Sequence, residues 1–295
     1  MECIYGPLAK ELPDGFAPPE MWPEYGHLVD PAAICKREAI SSDPMGIRWS
    51  LWPLTFEEYV GDTVPDVVQA STGALAYSRL AVWYRVRNNN SVAPGGWWQW
   101  SKQTYRIDGY QILSFHEHIT AHWNKNARRE LRLWQERHMG TTHAVIELSL
   151  EKYTEAYKKS LISKRQGNDR LYALQRRLRL PEVAAHTTLW GVVNRHNGAV
   201  VAGTAIIYSP TYKSSTHFAP FILKEARPIF AATALIHHWF AESLRKGMPK
   251  IITTNFWHQG KPKSWKGFSE FKSHFGFTYV AYPPTLYRFV GGKFF

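Results

Sequence analysis

The sequence predicts a mixed α/β (α+β) fold in which a mostly antiparallel sheet is flanked by helices and follows a reduced or irregular N-terminal region. Three observations carry this reading. From His143 onward, segments of apolar period two alternate with segments of period 3.6, in the order strand, two helices, three antiparallel strands, helix, strand, helix, two strands. Residues 1–50 instead scatter seven prolines (Pro7, Pro13, Pro18, Pro19, Pro23, Pro31, Pro44) among aromatics with no sustained period, which reads as an ordered but irregular wrap. Residues 265–277, WKGFSEFKSHFGF, form one short amphipathic helix. Phe268, Phe271 and Phe275 recur at i, i+3 and i+7 as an apolar face, Lys266 and Lys272 lie off it, and Gly276 supplies a left-handed exit.

The elements follow in order. Residues 54–60 and 64–70 are expected as short helical pieces, 74–87 as a β-prone segment, and 88–96 (NNNSVAPGG) as a turn or loop. Residues 97–111 return as aromatic-rich strand or turn. A long helix is expected over 115–138, with a packed stripe of Ile119, Trp123, Ala127, Leu131 and Trp134. Lys125, Arg128, Arg129, Arg132 and Arg137 occupy its other faces, and no helix in the chain is more basic. Strand 143–148, helix 150–164 capped by Ser149 and helix 169–179 ended by Pro181 come next. Strands 187–194, 200–208 and 215–221 make a meander in which His196-Asn197-Gly198 is a hairpin signal. Helix 229–246, with Pro228 in its first turn and Gly247 after its last, precedes strand 250–255, the helix described above, and strands 277–281 and 286–290. The chain thus divides into an irregular or partial N-terminal domain (1–110), a basic helix (111–142) and the regular α/β part (143–295).

With 44% hydrophobic and 20% charged residues the chain is globular rather than disordered. No apolar run approaches the roughly 20 residues of a membrane helix, and no basic stretch with an apolar core opens the chain, so a soluble, cytoplasmic protein is expected. Its two cysteines, Cys3 and Cys35, build neither a disulfide framework nor a zinc site. The charge is divided unevenly. Residues 1–110 hold 9 Lys+Arg against 13 Asp+Glu, a net of −4, and the remainder holds 27 against 11, a net of +16. A basic part joined to a mildly acidic one points to a polyanionic partner such as RNA, or to a phosphate-bearing substrate.

Two clusters read as structural. His116, His118 and His122 have neither a carboxylate nor a cysteine at metal-ligand spacing, and no metal is expected. The run Trp97-Trp98-Gln99-Trp100 has the chemistry to stack a sugar or base, but such clusters are more often core.

Three segments carry a family resemblance: the basic NKNARRELR stretch at 124–132, the meander WGVV at 190–193 with GAVVAG at 198–203, and the ending KGF at 266–268 with FKSHFG at 271–276. The order of elements over 143–295 resembles the GNAT acyltransferase fold. From Trp123 onward the chain resembles the Fem-type (FemAB-like) aminoacyltransferases, which use aminoacyl-tRNA to extend peptidoglycan bridges. Fem proteins usually carry two complete GNAT-like domains, and residues 1–110 offer too few recognisable elements for a full first copy. The resemblance implies an aminoacyltransferase with aminoacyl-tRNA as donor and no tightly bound cofactor. Its partners would be tRNA and an amine-bearing cell-wall peptide precursor. The Phe-Lys pair that meets the acceptor end of tRNA in the family corresponds to Phe271 and Lys272, with Lys266 beside them. Two alternatives stay open: an N-acyltransferase drawing on acyl-CoA or a carrier to modify a sugar, lipid or peptide, and a catalytically silent RNA-binding protein of the same fold.

Acyl transfer to an amine needs a neutral amine and stabilisation of a tetrahedral oxyanion. Lys272 suits the second need, since an ammonium in a water-poor cleft stabilises a forming oxyanion or a phosphate strongly. His217, on the fourth strand, and Glu225 are the candidate proton acceptors. Residues 223–232 stand where acetyl-CoA-dependent relatives carry a glycine loop cradling pyrophosphate. Here that stretch has no glycine and Pro228 lacks an N–H, though Lys224 and Arg227 bring positive charge. Asn255 and Tyr287 are candidates to line the cleft. Lys125, Arg128, Arg129 and Arg132 are candidates to contact the RNA backbone.

Overall fold

The computed structural model describes residues 5–6, 8–9, 12–27, 38–42, 45–51, 54–65, 79–86, 93–99 and 106–290. The strands are β1 (Leu8–Ala9), β2 (Glu38–Ser42), β3 (Met45–Leu51), β4 (Leu54–Val60), β5 (Arg79–Tyr84), β6 (Trp98–Gln99), β7 (Ile107–Ile112), β8 (His143–Glu147), β9 (Thr187–Asn194), β10 (Val200–Ser209), β11 (Ser214–Ile222), β12 (Lys250–Thr253), β13 (Thr278–Ala281) and β14 (Leu286–Val290). An eight-stranded sheet has the order β1-β13-β7-β12-β11-β10-β9-β8, and a six-stranded sheet the order β2-β3-β4-β5-β14-β6. Both are mostly antiparallel, with parallel pairs only at β1/β13, β11/β12 and β4/β5 among the described residues.

The sheets exchange strands. β7, from the first part of the chain, lies between β12 and β13 and runs antiparallel to both. β14, from the end, lies between β5 and β6 in the same manner. Neither sheet is complete without a strand from the other part of the sequence.

The helices are α1 (Lys125–Arg137), α2 (Leu150–Lys159), α3 (Leu161–Gln166), α4 (Asp169–Arg177), α5 (Pro181–Ala185), α6 (Ala231–Arg245) and α7 (Lys266–Ser273). α1 and α6 pack Ala127, Leu131, Trp134, Trp239 and Phe240 onto one side of the larger sheet in a core shared with Val192, Ile206 and Ile251. On the other side α2 and α4 contribute Tyr153, Tyr157, Leu171 and Leu174, packed on Leu189, Ala205 and Phe221. The N-terminal wrap seals a third core, where Leu12, Phe16, Trp22 and Tyr25 meet Val60 and Val86 from around the smaller sheet and Ile207, Ile252 and Val280 from the larger. Among the described residues no helix is long and apolar enough to cross a membrane.

Several expectations are corrected. Residues 54–60 form a strand, not a helix: Thr55, Phe56, Tyr59 and Val60 favour extended backbone, and partners on both sides fix it. The Glu57-Glu58 pair, which looks polar and helical, turns Glu57 inward, where it accepts from Arg48, Tyr59 and Arg79 at 3.0 to 3.1 Å. Of the expected helix at 64–70, residues 66–70 lie outside those described. The supposedly irregular 1–50 contributes β2 and β3. The basic helix begins at Lys125 rather than 115, because the Asn124 side chain caps it by accepting the Ala127 N–H at 2.9 Å. Before it His118 and Thr120 close a local turn at 2.8 Å. Ser160 splits the expected helix 150–164, ending α2 and capping α3 through the Ser163 N–H at 3.2 Å. Pro181 opens α5 instead of ending the helix before it. Trp97 is core, edge-on to Trp83 at 5.6 Å, and Trp100 lies outside the described residues.

Gly276 joins α7 to the entry of α1. Its φ is 76°, a Cβ there would strike the His122 carbonyl oxygen, and the adjacent Asn124 N–H donates to the His274 carbonyl at 2.9 Å. Backbone cannot yield there as a flexible side chain could. Gly276→Ala is therefore expected to lower unfolding stability by about 2 kcal/mol or more, measured by urea denaturation.

Candidate functional site

The larger sheet parts between two parallel strands. β11 and β12 pair only from Ser214/Lys250 to Thr216/Ile252; β11 then runs on to Ile222, while the chain beyond Thr253 turns away through Asn255 at φ 64°. A bulge shapes the β11 side: Ala219, at φ 47°, lies where the register with β10 slips between Gly203 and Ala205. Gly203 has no room for a side chain, since a Cβ would stand 2.5 Å from the Phe221 ring. Between the parted strands opens a cavity of about 1330 Å³. That exceeds the roughly 300–1,000 Å³ of an ordinary small-ligand pocket.

Lys272 stands at its inner wall. The apolar-face reading of α7 holds for Phe271 and Phe275, the latter 0% exposed in the core with the former packed on it, and is corrected for Phe268 and Lys272. Ser269 and Lys272 are the helix's buried residues, Lys272 being 3% exposed, whereas Phe268 is 36% exposed. Ser269 accepts the Trp257 N–H at 2.8 Å, tying the helix to the preceding loop. The Lys272 ammonium donates to the carbonyl of Thr254 at 2.6 Å and more weakly to that of Asn255 at 3.4 Å. It also sits 4.3 and 4.7 Å from the ring centroids of Phe256 and Phe268. Carbonyl dipoles and aromatic faces both favour the charged form. Burial opposes them and pulls the pKa down to about 7, with Asp108 raising it and Arg170 lowering it. Near neutral pH both protonation states are therefore populated.

His217 marks the point where the strands part. One ring nitrogen lies 3.1 Å from the Thr253 hydroxyl and the ring leans on Trp239 at 4.9 Å. Burial, then the charges of Lys272 and Arg170, push its pKa down to about 3, so the imidazole is neutral at physiological pH. It is a weak proton acceptor, well suited to orienting a neighbour.

Asn255, Phe271 and Arg227 also line the cavity. The remaining candidates lie elsewhere. Lys224 and Glu225 are exposed on the turn after β11 and do not reach the cavity wall. Lys266 is exposed, 5.5 Å from the Trp257 ring. Tyr287 belongs to β14 of the smaller sheet, stacked on Trp98 at 5.3 Å, so the expectation that it lines the cleft is corrected. Lys125, Arg128, Arg129 and Arg132 are exposed on α1, outside the cavity wall.

Sequence reasoning missed the basic residues that α3 and α4 bring to the cavity wall. α3 and α4 bring Arg165, Arg170, Arg176 and Arg177 to the cavity, against only Glu20 and Asp169 as lining carboxylates. Arg177 is 2% exposed, its guanidinium 4.2 and 4.5 Å from the ring centroids of Tyr25 and Phe218. The paired arginines of LQRRLR at 174–179 were the available signal.

The turn between β11 and α6 satisfies part of its own backbone. The N–H groups of Ala226, Arg227 and Phe230 donate to the carbonyls of Leu223, Lys224 and Arg227, and Pro228 has none to give. These turn N–H groups are engaged, whereas the first N–H groups of α6, next to the cavity-lining Ala232, have no side-chain cap.

No protein-family model matches the sequence, and no curated protein matches it. Solved structures do. FemX is 10% identical with a TM-score of 0.63, covering 86% of this chain and 87% of that one. The chain has the fold of FemX. The C-terminal domain of a putative lysylphosphatidylglycerol synthetase from Agrobacterium fabrum aligns at 13% identity and a TM-score of 0.53, over 90% of this chain and 85% of that one. L-PGS from Bacillus licheniformis aligns at 12% and 0.51, over 86% and 83%. The FemX-like fold thus extends well beyond residues 143–295.

The buried lysine makes stability depend on pH. In the unfolded chain this amine holds its proton to about pH 10.5, and in the folded protein only to about 7. The unfolded state therefore binds more protons across that window, and stability rises with pH from about 7 to 10.5. Lys272→Met is expected to flatten this rise by up to one proton, about 1.4 kcal/mol per pH unit, as read from denaturation curves between pH 7 and 10.

Proposed function

We propose that this protein is an N-acyltransferase that moves an aminoacyl group, carried as an ester on tRNA, to an amine of a cell-wall peptide precursor. The observation that carries the reading is the Lys272 ammonium, desolvated at the wall of a large cavity to which α3 and α4 bring arginines. In the reaction the acceptor amine attacks the ester carbonyl, a C–N bond forms, and the C–O bond to the ribose breaks. The amine's surplus proton leaves with the ribose oxygen. Negative charge builds on the carbonyl oxygen between these events. Lys272, held by two carbonyls yet lining the cavity, keeps donor capacity for that oxygen where few waters compete. Arg165, Arg170, Arg176 and Arg227 suit the phosphates of a nucleic-acid end. The lack of a glycine and the missing N–H of Pro228 in the turn after β11 support this donor over acyl-CoA.

The decisive experiment incubates the protein with a pool of labelled aminoacyl-tRNAs and a peptidoglycan precursor. Transfer is expected, and Lys272→Met is expected to reduce kcat by about 10²–10³-fold. A clear thermal stabilisation by acetyl-CoA would overturn the choice of donor. Equal transfer by the variant would remove Lys272 from the chemistry.

The pH profile tests the form in which Lys272 acts. If the ammonium is required, kcat falls as pH rises through about 7, where burial places its deprotonation. Lys272→Arg, charged throughout, is expected to lose that descending limb while keeping part of the rate. A limb that stays near 7 in this variant would assign it to another group.

A further inference from the structure

A buried ionic chain runs from the N-terminal wrap to the backbone that holds Lys272. Arg106 donates to both oxygens of Glu20, at 2.6 and 3.1 Å, and lies 2.9 Å from Oδ2 of Asp108. Asp108, on β7, is 0% exposed, and its Oδ1 accepts the Asn255 N–H at 2.9 Å. Asn255 is the left-handed residue whose carbonyl, with that of Thr254, receives the Lys272 ammonium. Among the described residues no carboxylate lies within ion-pair distance of that ammonium, and Asp108 is the carboxylate that acts on it through space.

A neutral side chain can accept one backbone N–H, so a fully buried carboxylate in a sheet is an expensive choice for that task alone. The expense is visible in Asp108 itself. Burial raises its pKa to about 6, although Arg106 pulls the other way. Burial likewise pushes Glu20 up, but the charge and hydrogen bonds of Arg106 outweigh it and hold that carboxyl below its ordinary value. Arg106 is thereby anchored at one end by a firmly ionised partner and presents its charge to Asp108 at the other.

We propose that Asp108 is the positioning residue of Lys272: it fixes the left-handed Asn255 turn that aims two carbonyls at the ammonium, and it supplies the ammonium's counter-charge, with Arg106 and Glu20 holding the carboxylate in place. The bearing of Asp108 on transfer rests on the proposed function, whereas the positioning of Lys272 is decided by readouts independent of turnover. The charged and titratable groups facing Lys272 are Asp108 from β7, Arg170 from α4 and His217 from β11; those facing Asp108 are Arg106 just before its strand, Glu20 from the wrap, Tyr282 just after β13, and Lys272 itself.

The test is an NMR titration of protein carrying ¹³C-lysine, ¹³C-aspartate and ¹⁵N backbone, with Lys272 and Asp108 assigned by substitution. In the wild type the Asn255 amide and the Lys272 Cε are expected to move at the midpoint of the Asp108 carboxyl. Asp108→Asn keeps an acceptor for the Asn255 N–H but removes the charge, so Lys272 should titrate about one pH unit lower. The descending limb of kcat should shift with it, with KM for the donor unchanged. Asp108→Ala, which loses the acceptor as well, should also cut kcat further. Asn255 and Lys272 signals that are silent at the Asp108 midpoint overturn the proposal, and that reading needs only wild-type protein. A Lys272 midpoint unmoved in folded Asp108→Asn overturns it too. Coupled titrations without any aminoacyl transfer would instead defeat the proposed function and leave this inference standing.

Discussion

A sheet that parts between two of its strands must find other partners for the backbone groups its ladder no longer serves. Here the parting follows Thr216 and Ile252, and the arrangement of the site solves that problem. Asn255 takes a left-handed conformation, directing its N–H to Asp108 and its carbonyl, beside that of Thr254, to Lys272. Thr253, the last residue of β12, sets its hydroxyl 3.1 Å from a ring nitrogen of His217 across the gap. The same few backbone atoms are thus satisfied, and a cation is held, by one local geometry. An ammonium buried without such carbonyls would be far costlier.

The exchanged strands make this geometry a property of the whole molecule. Asp108 reaches the site only because β7 crosses from the first part of the chain to lie between β12 and β13. Gly109 beside it has no space for a side chain, with Phe256 and Phe277 within 3 Å of where a Cβ would stand, so β7 can approach closely enough to place its neighbour. β14 returns the exchange by completing the smaller sheet. Glu20 then ties the wrap to the chain of charges through Arg106. A region with an unpromising sequence is in this way part of the site's support.

Much of the fold was legible, because from β8 onward each element has its own period and its own punctuation. Ser149 and Gly276 began or ended helices as capping chemistry demands, whereas the cap at Asn124 went unread inside an apparently continuous period. Lys272, Phe271, Asn255, His217 and Arg227 were legible as cavity residues because each lies on or beside an element whose place in the fold was recognised. Asp108 was not: its contact with Asn255 spans 147 residues, and nothing local distinguishes it from a surface aspartate in a strand. The arginines of α3 and α4 were hidden for the opposite reason, since basic residues on an amphipathic helix look like a solvated face until the cavity they line is known. Glu57 misled because an internal carboxylate, bound by Arg48 and Arg79, imitates helix-like polarity in a strand.

The exchange of Phe268 and Lys272 on α7 carries a further lesson about where a candidate site draws its energy. An amphipathic helix lowers free energy by burying its phenylalanines, yet this one keeps Phe268 partly exposed and puts Lys272 inside. Each choice alone opposes stability: an aromatic ring stays in contact with water, and a cation leaves it. Together they are consistent, because the Phe268 ring, 4.7 Å from the ammonium, replaces part of the water it has lost. What remains of the cost is visible as the pKa displaced towards 7. A ligand that brings an oxygen to Lys272 recovers part of it, so the folded protein holds in advance a fraction of the free energy that binding then releases. Such local destabilisation is sustainable only where the surroundings are over-determined. The exchanged strands and the buried ionic chain supply that rigidity.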